Sequence, residues 1–389
     1  MKIKVFLLIP ALMFSFAACG GSDSSDDNTD VTLSDSGGDD DGDADGDADD
    51  DADVDDGTTT SSSAFAKGAD LSWVTEMEDD GKKFYNSSGT ETDCFEIMAS
   101  LGMNACRLRV WVNPENDYGA YCDKADVVAK AVRAKAAGLD VMIDFHYSDM
   151  FADPSRQNTP AAWEDYSLTE MAAAVTSHTE EVLTAVVDAG VTPKWVQVGN
   201  ETRNGMIWPT GQLWTDDGDI ADGWTNYTTL SNAGYDAVKT VLPDAIVIIH
   251  INNAWADNDW WFTKFIAAGG KMDMIGLSHY PQSEDDKTYT EVNSLAVEHI
   301  QSLSASYGVK VMITEVGVKS SNETLANTVL SAFMTSVKQL DECAGVFYWE
   351  PQVYGSWKPA VYTSWGWSAY DMGAFTSAGR PAACLGAFE

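Results

Sequence analysis

Basic residues are scarce in this chain: 23 lysines and arginines stand against 61 aspartates and glutamates, with five histidines, for a formal charge of −38 over 389 residues. Such an excess repels phosphate backbones and anionic lipid headgroups, so nucleic acid is excluded as a partner class. The surplus is uneven. Ser22 to Gly57 contains seventeen aspartates and no basic residue, and without that tract and Lys2 and Lys4 the rest still carries about −23. Long apolar runs are equally scarce. The one candidate, Val5 to Phe16, follows Lys2 and Lys4 and precedes Ala17 and Ala18, which reads as an export signal too short to span a bilayer. No later stretch is long and apolar enough for a transmembrane helix, so membrane attachment would be through lipid alone. The ending FAAC is similar to a bacterial lipobox with Cys19 as the acylated residue; ordinary cleavage near Ala17 and Ala18 is the other reading. Gly20, where an inner-membrane retention aspartate would stand, points to an outer-membrane or cell-surface lipoprotein, otherwise to a secreted protein.

Metal and nucleotide motifs are missing too. The five cysteines beyond Cys19 (Cys94, Cys106, Cys122, Cys343 and Cys384) form no CxxC pair, and no HExxH accompanies His146 or His250, so no metal site is expected. An odd number leaves at least one thiol unpaired. Cys106, in an apolar strand pattern, is read as a core thiol, with room for one or two disulfides among the others in an oxidising compartment. There is no GxGxxG or Walker motif to support a nucleotide-binding sheet. Large apolar residues almost vanish between residues 20 and 63, which marks a disordered, solvated linker. Within it, Asp41 to Gly46 reads DGDADG like the opening of an EF loop, but the twelfth position is Ala52 and no helices flank it, so a charged spacer is preferred to a calcium loop.

From residue 64 to 389 short apolar runs alternate with helical stretches. Eight strands are read: AFAKGADL, NACRLRVW, DVMIDFHY, KWVQVGNE, AIVIIHIN, MIGLSHYP, KVMITEVG and GVFYWEP. Between them, Val127, Val128, Ala131 and Val132 recur at helical spacing before Gly138, and Ser167 with Glu170 makes a capping box ahead of a run that ends at Gly190. Runs such as AIVIIHI are apolar on both faces, as parallel strands covered by helices require. Eight such units predict an α/β fold, a single (β/α)8 TIM barrel after a signal peptide (1–19) and the linker (20–63).

In such a barrel the chemistry sits where strands end. The polar strand ends here are Arg107 and Arg109 with Trp111, His146, Asn200 and Glu201, His250 and Asn252, His279 and Tyr280, Glu315, and Trp349 with Glu350. Two apolar strands, WVQVGNE and VMITE, run straight into a glutamate. A buried carboxylate is costly, so the pair calls for a use. Glycosidic bonds supply one, because their cleavage needs an acid at the leaving oxygen and a carboxylate at the anomeric carbon. Glu201 then needs a raised pKa, while Arg107 and Arg109 are placed to keep Glu315 ionised. Tryptophan faces stack on pyranose rings, and Trp111, Trp255 and Trp349, beside polar strand ends, are assigned to the cleft; Trp163, within PAAW, reads as packing. His146, His250, Asn252 and His279 are assigned to sugar hydrogen bonding.

Together, ADLSW, RLRVWVNP, DFHYSD, DPSRQNTPAAW, VQVGNE and the late FYWEP resemble glycoside hydrolase family 53, the arabinogalactan endo-β-1,4-galactanases of the large retaining clan with Asn-Glu on strand four. The resemblance runs from about Lys67 to Glu350 and beyond. It implies that Glu201 is the acid/base, Glu315 the nucleophile, Asn200 a partner of the sugar 2-hydroxyl, and Arg107 or Arg109 the arginine of strand two. It also implies β-1,4-galactan as substrate, double displacement and no required cofactor. SHYP departs from it, with His279 where an aromatic is expected. The structural calcium of some bacterial members is not carried over, because their late loop has no match here. Enzymes of the same clan acting on β-mannan or β-glucan would share both glutamates, and a catalytically silent glycan-binding protein would share the fold. A monomer is expected.

Overall fold

The computed structural model describes residues 64–114, 121–281 and 287–389. The leader, Cys19 and the aspartate-rich linker lie outside the described residues. All eight expected strands form: β1 (Ala66–Asp70), β2 (Ala105–Val110), β3 (Asp140–Phe145), β4 (Trp195–Val198), β5 (Ile246–Ile251), β6 (Met274–His279), β7 (Val311–Val316) and β8 (Cys343–Trp349). Every neighbouring pair is parallel, and β8 pairs with β1, so the sheet closes into a barrel.

Local sequence explains the helices around it. Asp123 caps Lys124–Ala136 through its side chain, and Gly138 takes the left-handed conformation after it. Val127 and Ala131 on that helix are buried whereas Val132 is exposed, so the apolar stripe is narrower than the spacing suggested. The capping box of Ser167 and Glu170 is present at Leu168–Asp188, and Thr288 with Glu291 makes a second one at Tyr289–Tyr307. Cys94, Cys106, Cys122, Cys343 and Cys384 are all free and buried, which corrects the expectation of disulfides: each behaves as a small core hydrophobe.

The barrel interior is layered. Ala66, Ala105, Met142, Trp195, Ile248, Met274, Met312 and Phe347, one from each strand, make an apolar plug, with Trp195 edge-on to Phe347 at 6.0 Å. Gly68 sits above Phe347, and a Cβ there would fall 2.2 Å from the ring, so the bulky residue on β8 dictates glycine on β1. Two residues further along β2 to β6 the same inward positions become Arg107, Asp144, Gln197, His250 and Gly276, and on β1 Asp70, two beyond Gly68, joins them. The interior therefore turns from hydrocarbon to ionised groups within one pleat.

Candidate active site

Arg107 is the hub of that polar layer. It is 1% exposed, and its guanidinium reaches five partners: Nη1 donates to Asp70 (2.7 Å), Nε to Gln197 (3.2 Å) and Nη2 to Asn200 (2.7 Å), while Nη2 also pairs with Asp144 (2.8 Å) and Glu315 (3.0 Å). Burial opposes its charge, but Asp144, Glu315 and Asp70 overcome that and raise its pKa. In return, and against burial, Arg107 and Arg109 with the Ser72 hydrogen bonds lower the pKa of Asp70.

Glu315 owes its inward direction to irregular backbone. Strict alternation from Met312 would turn Thr314 inward and Glu315 outward. The ladder slips between Leu277 and Ser278 on the β6 side and between Ile313 and Val316 on the β8 side, and these bulges re-aim Glu315 onto Arg107. Its Oε2 accepts a hydrogen bond from Tyr280 Oη at 2.7 Å. Burial pushes the carboxyl up to about 7, with Arg107 and Tyr280 pulling back.

Glu201 follows β4 after Gly199, whose φ of 84° makes the turn, and is itself left-handed at φ 47°. Its backbone N–H donates to His250 Nδ1 (3.3 Å) and its Oε1 accepts from Ser278 Oγ (2.7 Å). Ser278 lies opposite Glu315 in the register of β6 and β7, so the donor to one carboxyl is the strand neighbour of the other. Burial, then the charge of Glu315, hold Glu201 well above the usual carboxylate range. One buried carboxyl thus keeps its proton beside another that a guanidinium favours in its charged form, a division that matches acid and nucleophile.

Residues 66–388 match Glycosyl hydrolase family 53. The chain belongs to this family. A Niallia circulans protein of unassigned activity is 36% identical over 220 residues, 56% of this chain, and the chain spans 59% of its length. A probable arabinogalactan endo-β-1,4-galactanase A of Aspergillus terreus is 32% identical over 311 residues, 73% of this chain and 85% of that one. Solved fungal β-1,4-galactanases superpose with a TM-score of 0.70 at 28% identity, over 83% of this chain and 98% of theirs.

Within this family 53 site the structure brings together Glu201, Glu315, Arg107, Asn200 and Tyr280, and moves other expected residues out of the cleft. His279 faces outward: it is buried, its Nε2 meets Asn293 Oδ1 at 2.8 Å, and its ring lies 4.3 Å from Phe333 on an outer helix. Alternation explains this, since Ser278 takes the inward position. Arg109, 1% exposed, pairs with Glu350 at 2.6 Å instead of Glu315, and its guanidinium lies between 4.7 and 5.5 Å from the rings of Phe151, Trp73 and Trp111. Trp111, 3% exposed and edge-on to Phe151 at 5.0 Å, supports Arg109 and has no face free for a sugar. His146 uses both nitrogens internally, Nε2 to Asp144 (3.0 Å) and Nδ1 from the Ala152 N–H (2.9 Å), and His250 is likewise occupied on both sides. Neither histidine has a nitrogen left for substrate.

Trp349 is half-buried at the end of β8, 5.0 Å from Trp73 and 4.9 Å from Tyr370, and Trp255 is half-buried after β5; both stay available at the rim. Asn252 also remains there, with a buried Oδ1 that no donor among the described residues satisfies. Trp163 is a core ring, as PAAW suggested. The sequence reading passed over Asp70, Asp144, Gln197 and Ser278. For Asp144 and Gln197 a signal existed, because each interrupts an apolar strand, VMIDF and WVQV. Among the described residues no group of three or more His, Cys, Asp or Glu is placed to hold a metal ion.

The outward placement of His279 makes a prediction. His279→Leu leaves Asn293 Oδ1 without its partner, so unfolding free energy should fall by about 1–3 kcal/mol while kcat/KM on polysaccharide changes less than about twofold. A large rise in KM in steady-state assays would put the ring back in the cleft.

Proposed function

We propose that the protein is an endo-acting hydrolase of β-1,4-galactosidic bonds in galactan or type I arabinogalactan, working by retaining double displacement. The observation that carries the reading is the carboxyl pair: Glu315 held by Arg107 and Tyr280, and Glu201 held by Ser278 with its pKa driven up. In the first half-reaction Glu201 protonates the glycosidic oxygen as Glu315 bonds to the anomeric carbon. In the second, Glu201 takes a proton from the water that displaces Glu315. Asn200, whose Oδ1 is fixed by Arg107 and Gln197 and whose Nδ2 donates to Ala152 O (2.8 Å), keeps a second Nδ2 hydrogen for the sugar 2-hydroxyl. Trp349 and Trp255 are assigned as stacking faces. The chemistry requires protons and water, and no cofactor is invoked. The galactanase names of the relatives support galactan as substrate, and the leader with Cys19 supports an exported, lipid-anchored protein at the cell surface.

Reducing-end release on galactan, mannan and cellulose tests the substrate, with turnover expected on galactan; activity on mannan alone would refute it. Proton NMR of the first products tests the stereochemistry, and the β-hemiacetal should precede the α.

The pH dependence of kcat/KM follows from the two shifts. Glu315 must be ionised, so activity rises with pH through its pKa of about 7. Glu201 must be protonated and is held higher, so activity falls again above that. The expected profile is a bell whose two limbs belong to the coupled pair. A plateau extending down to the ordinary carboxylate range near ~4.3 would contradict it.

A further inference from the structure

The mechanism gives His250 no part and Ser278 none beyond its contact with Glu201, although both are buried against the acid. We propose that these two act as positioning residues that fix which oxygen of Glu201 carries the catalytic proton, an inference that rests on Glu201 being the acid/base. His250 Nδ1 has three polar neighbours: the backbone N–H of Glu201 at 3.3 Å, Gln197 Nε2 at 3.0 Å and Asn200 Oδ1 at 3.1 Å. A hydrogen on Nδ1 would collide with the fixed Glu201 N–H, and Asn200 Oδ1 is already supplied by Arg107 and Gln197. Nδ1 is therefore an acceptor, and the hydrogen of the neutral ring sits on Nε2. Nε2–H points at Ser278 Oγ, 2.8 Å away, which makes the hydroxyl an acceptor on that side. Its own hydrogen must then go to Glu201 Oε1 at 2.7 Å. Oε1 is thereby occupied as an acceptor, and the proton of the acid form is left to Oε2.

This assignment serves both half-reactions. Oε2–H protonates the leaving oxygen as the glycosidic C–O electrons move onto it and the bond from Glu315 to carbon forms. The carboxylate that results is stabilised by the hydroxyl already aimed at Oε1. When water attacks and Glu315 departs with its bonding pair, Oε2 recovers a proton from that water. The same imidazole grips the main chain of Glu201, which holds the residue in its left-handed conformation. Four other groups act on the Glu201 carboxyl: Glu315 from β7, Arg107 from β2, Asp153 from the loop after β3 and Tyr280 after β6; His250 itself faces Arg107 and His146. Tyr280 is committed to Glu315, which leaves Ser278 as the group that orders the proton on Glu201.

The test uses the full chain with Ser278→Ala, Ser278→Thr and His250→Phe, assayed on galactan and on a dinitrophenyl β-galactobioside whose leaving group needs no acid. Ser278→Ala should lose about tenfold or more in kcat/KM on galactan, within the range of a misdirected general acid, and less than about threefold on the activated substrate. Its alkaline limb should move up by roughly one pH unit, because the lost hydrogen bond favoured the ionised form. Ser278→Thr should restore both readouts, and His250→Phe should reproduce the substrate-dependent loss. If His250→Phe fails to fold, the serine pair still decides. Equal losses on both substrates, or an unmoved alkaline limb, would overturn the proposal. Azide separates this failure from a failure of the underlying reading: were Glu201→Ala not rescued on the activated substrate, the acid/base assignment itself would fall.

Discussion

Glu315→Ala should release no reducing ends from galactan above background, and azide should restore turnover of the dinitrophenyl galactobioside as the α-galactosyl azide. The loss is expected to exceed the ~10²–10⁴-fold that one acid or base group supplies, because the covalent path closes altogether. Azide fits the space left by the carboxymethyl group beside Arg107 and attacks from the same face, so a single displacement inverts the anomeric centre. Glu201→Ala should behave differently. The activated substrate still forms the glycosyl-enzyme, which accumulates for want of a base, and azide, needing none, then yields the β-azide through two inversions. The pair of products, α from one variant and β from the other, assigns each role independently of rate. Both variants giving the same anomer would contradict the division of labour, and no rescue from either would remove the double displacement.

Much of this site was legible in the chain because a (β/α)8 barrel places its chemistry at strand ends and the strands announce themselves as apolar runs. Glu201, Asn200, Arg107 and Tyr280 follow from that rule. Glu315 does so less directly: its inward direction depends on bulges in the neighbouring ladders, which alternation does not foresee. His279 is the converse case. Counting by two from Met274 through Gly276 to Ser278 would have put the histidine outside and the serine inside, but the polar ring next to Tyr280 drew the assignment. Arg109 and Trp111 share the inward direction and are still enclosed, because Phe151, from a loop some forty residues away, caps the guanidinium and the indole together. Such long-range partners leave no periodic trace. The thiols are similar, since their separation depends on which side of the sheet each strand presents.

Arg107→Met should abolish activity and cost about 3–5 kcal/mol of unfolding free energy in denaturant titrations, the range for removing one partner of a buried ion pair. The side chain is replaced by one of comparable length, so cavity formation is a small part of the effect. The larger part is electrostatic: Asp70, Asp144 and Glu315 lose their shared cation while staying out of water, and Gln197 Oε1 and Asn200 Oδ1 lose a donor each. Without the guanidinium Glu315 should rise above its value of about 7 and be neutral at neutral pH, so the nucleophile is lost together with its anchor. Carboxyls whose folded pKa is raised contribute stability below the unfolded value and lose it as pH climbs through the folded one, so the deficit of the variant should shrink between pH 8 and pH ~5. Lysine should recover little, because a single ammonium cannot span Asp70, Gln197 and Glu315 as the planar fork does. A deficit that stays constant over that pH range, or a lysine variant with near-native kcat, would mean that shape and not charge holds this layer together.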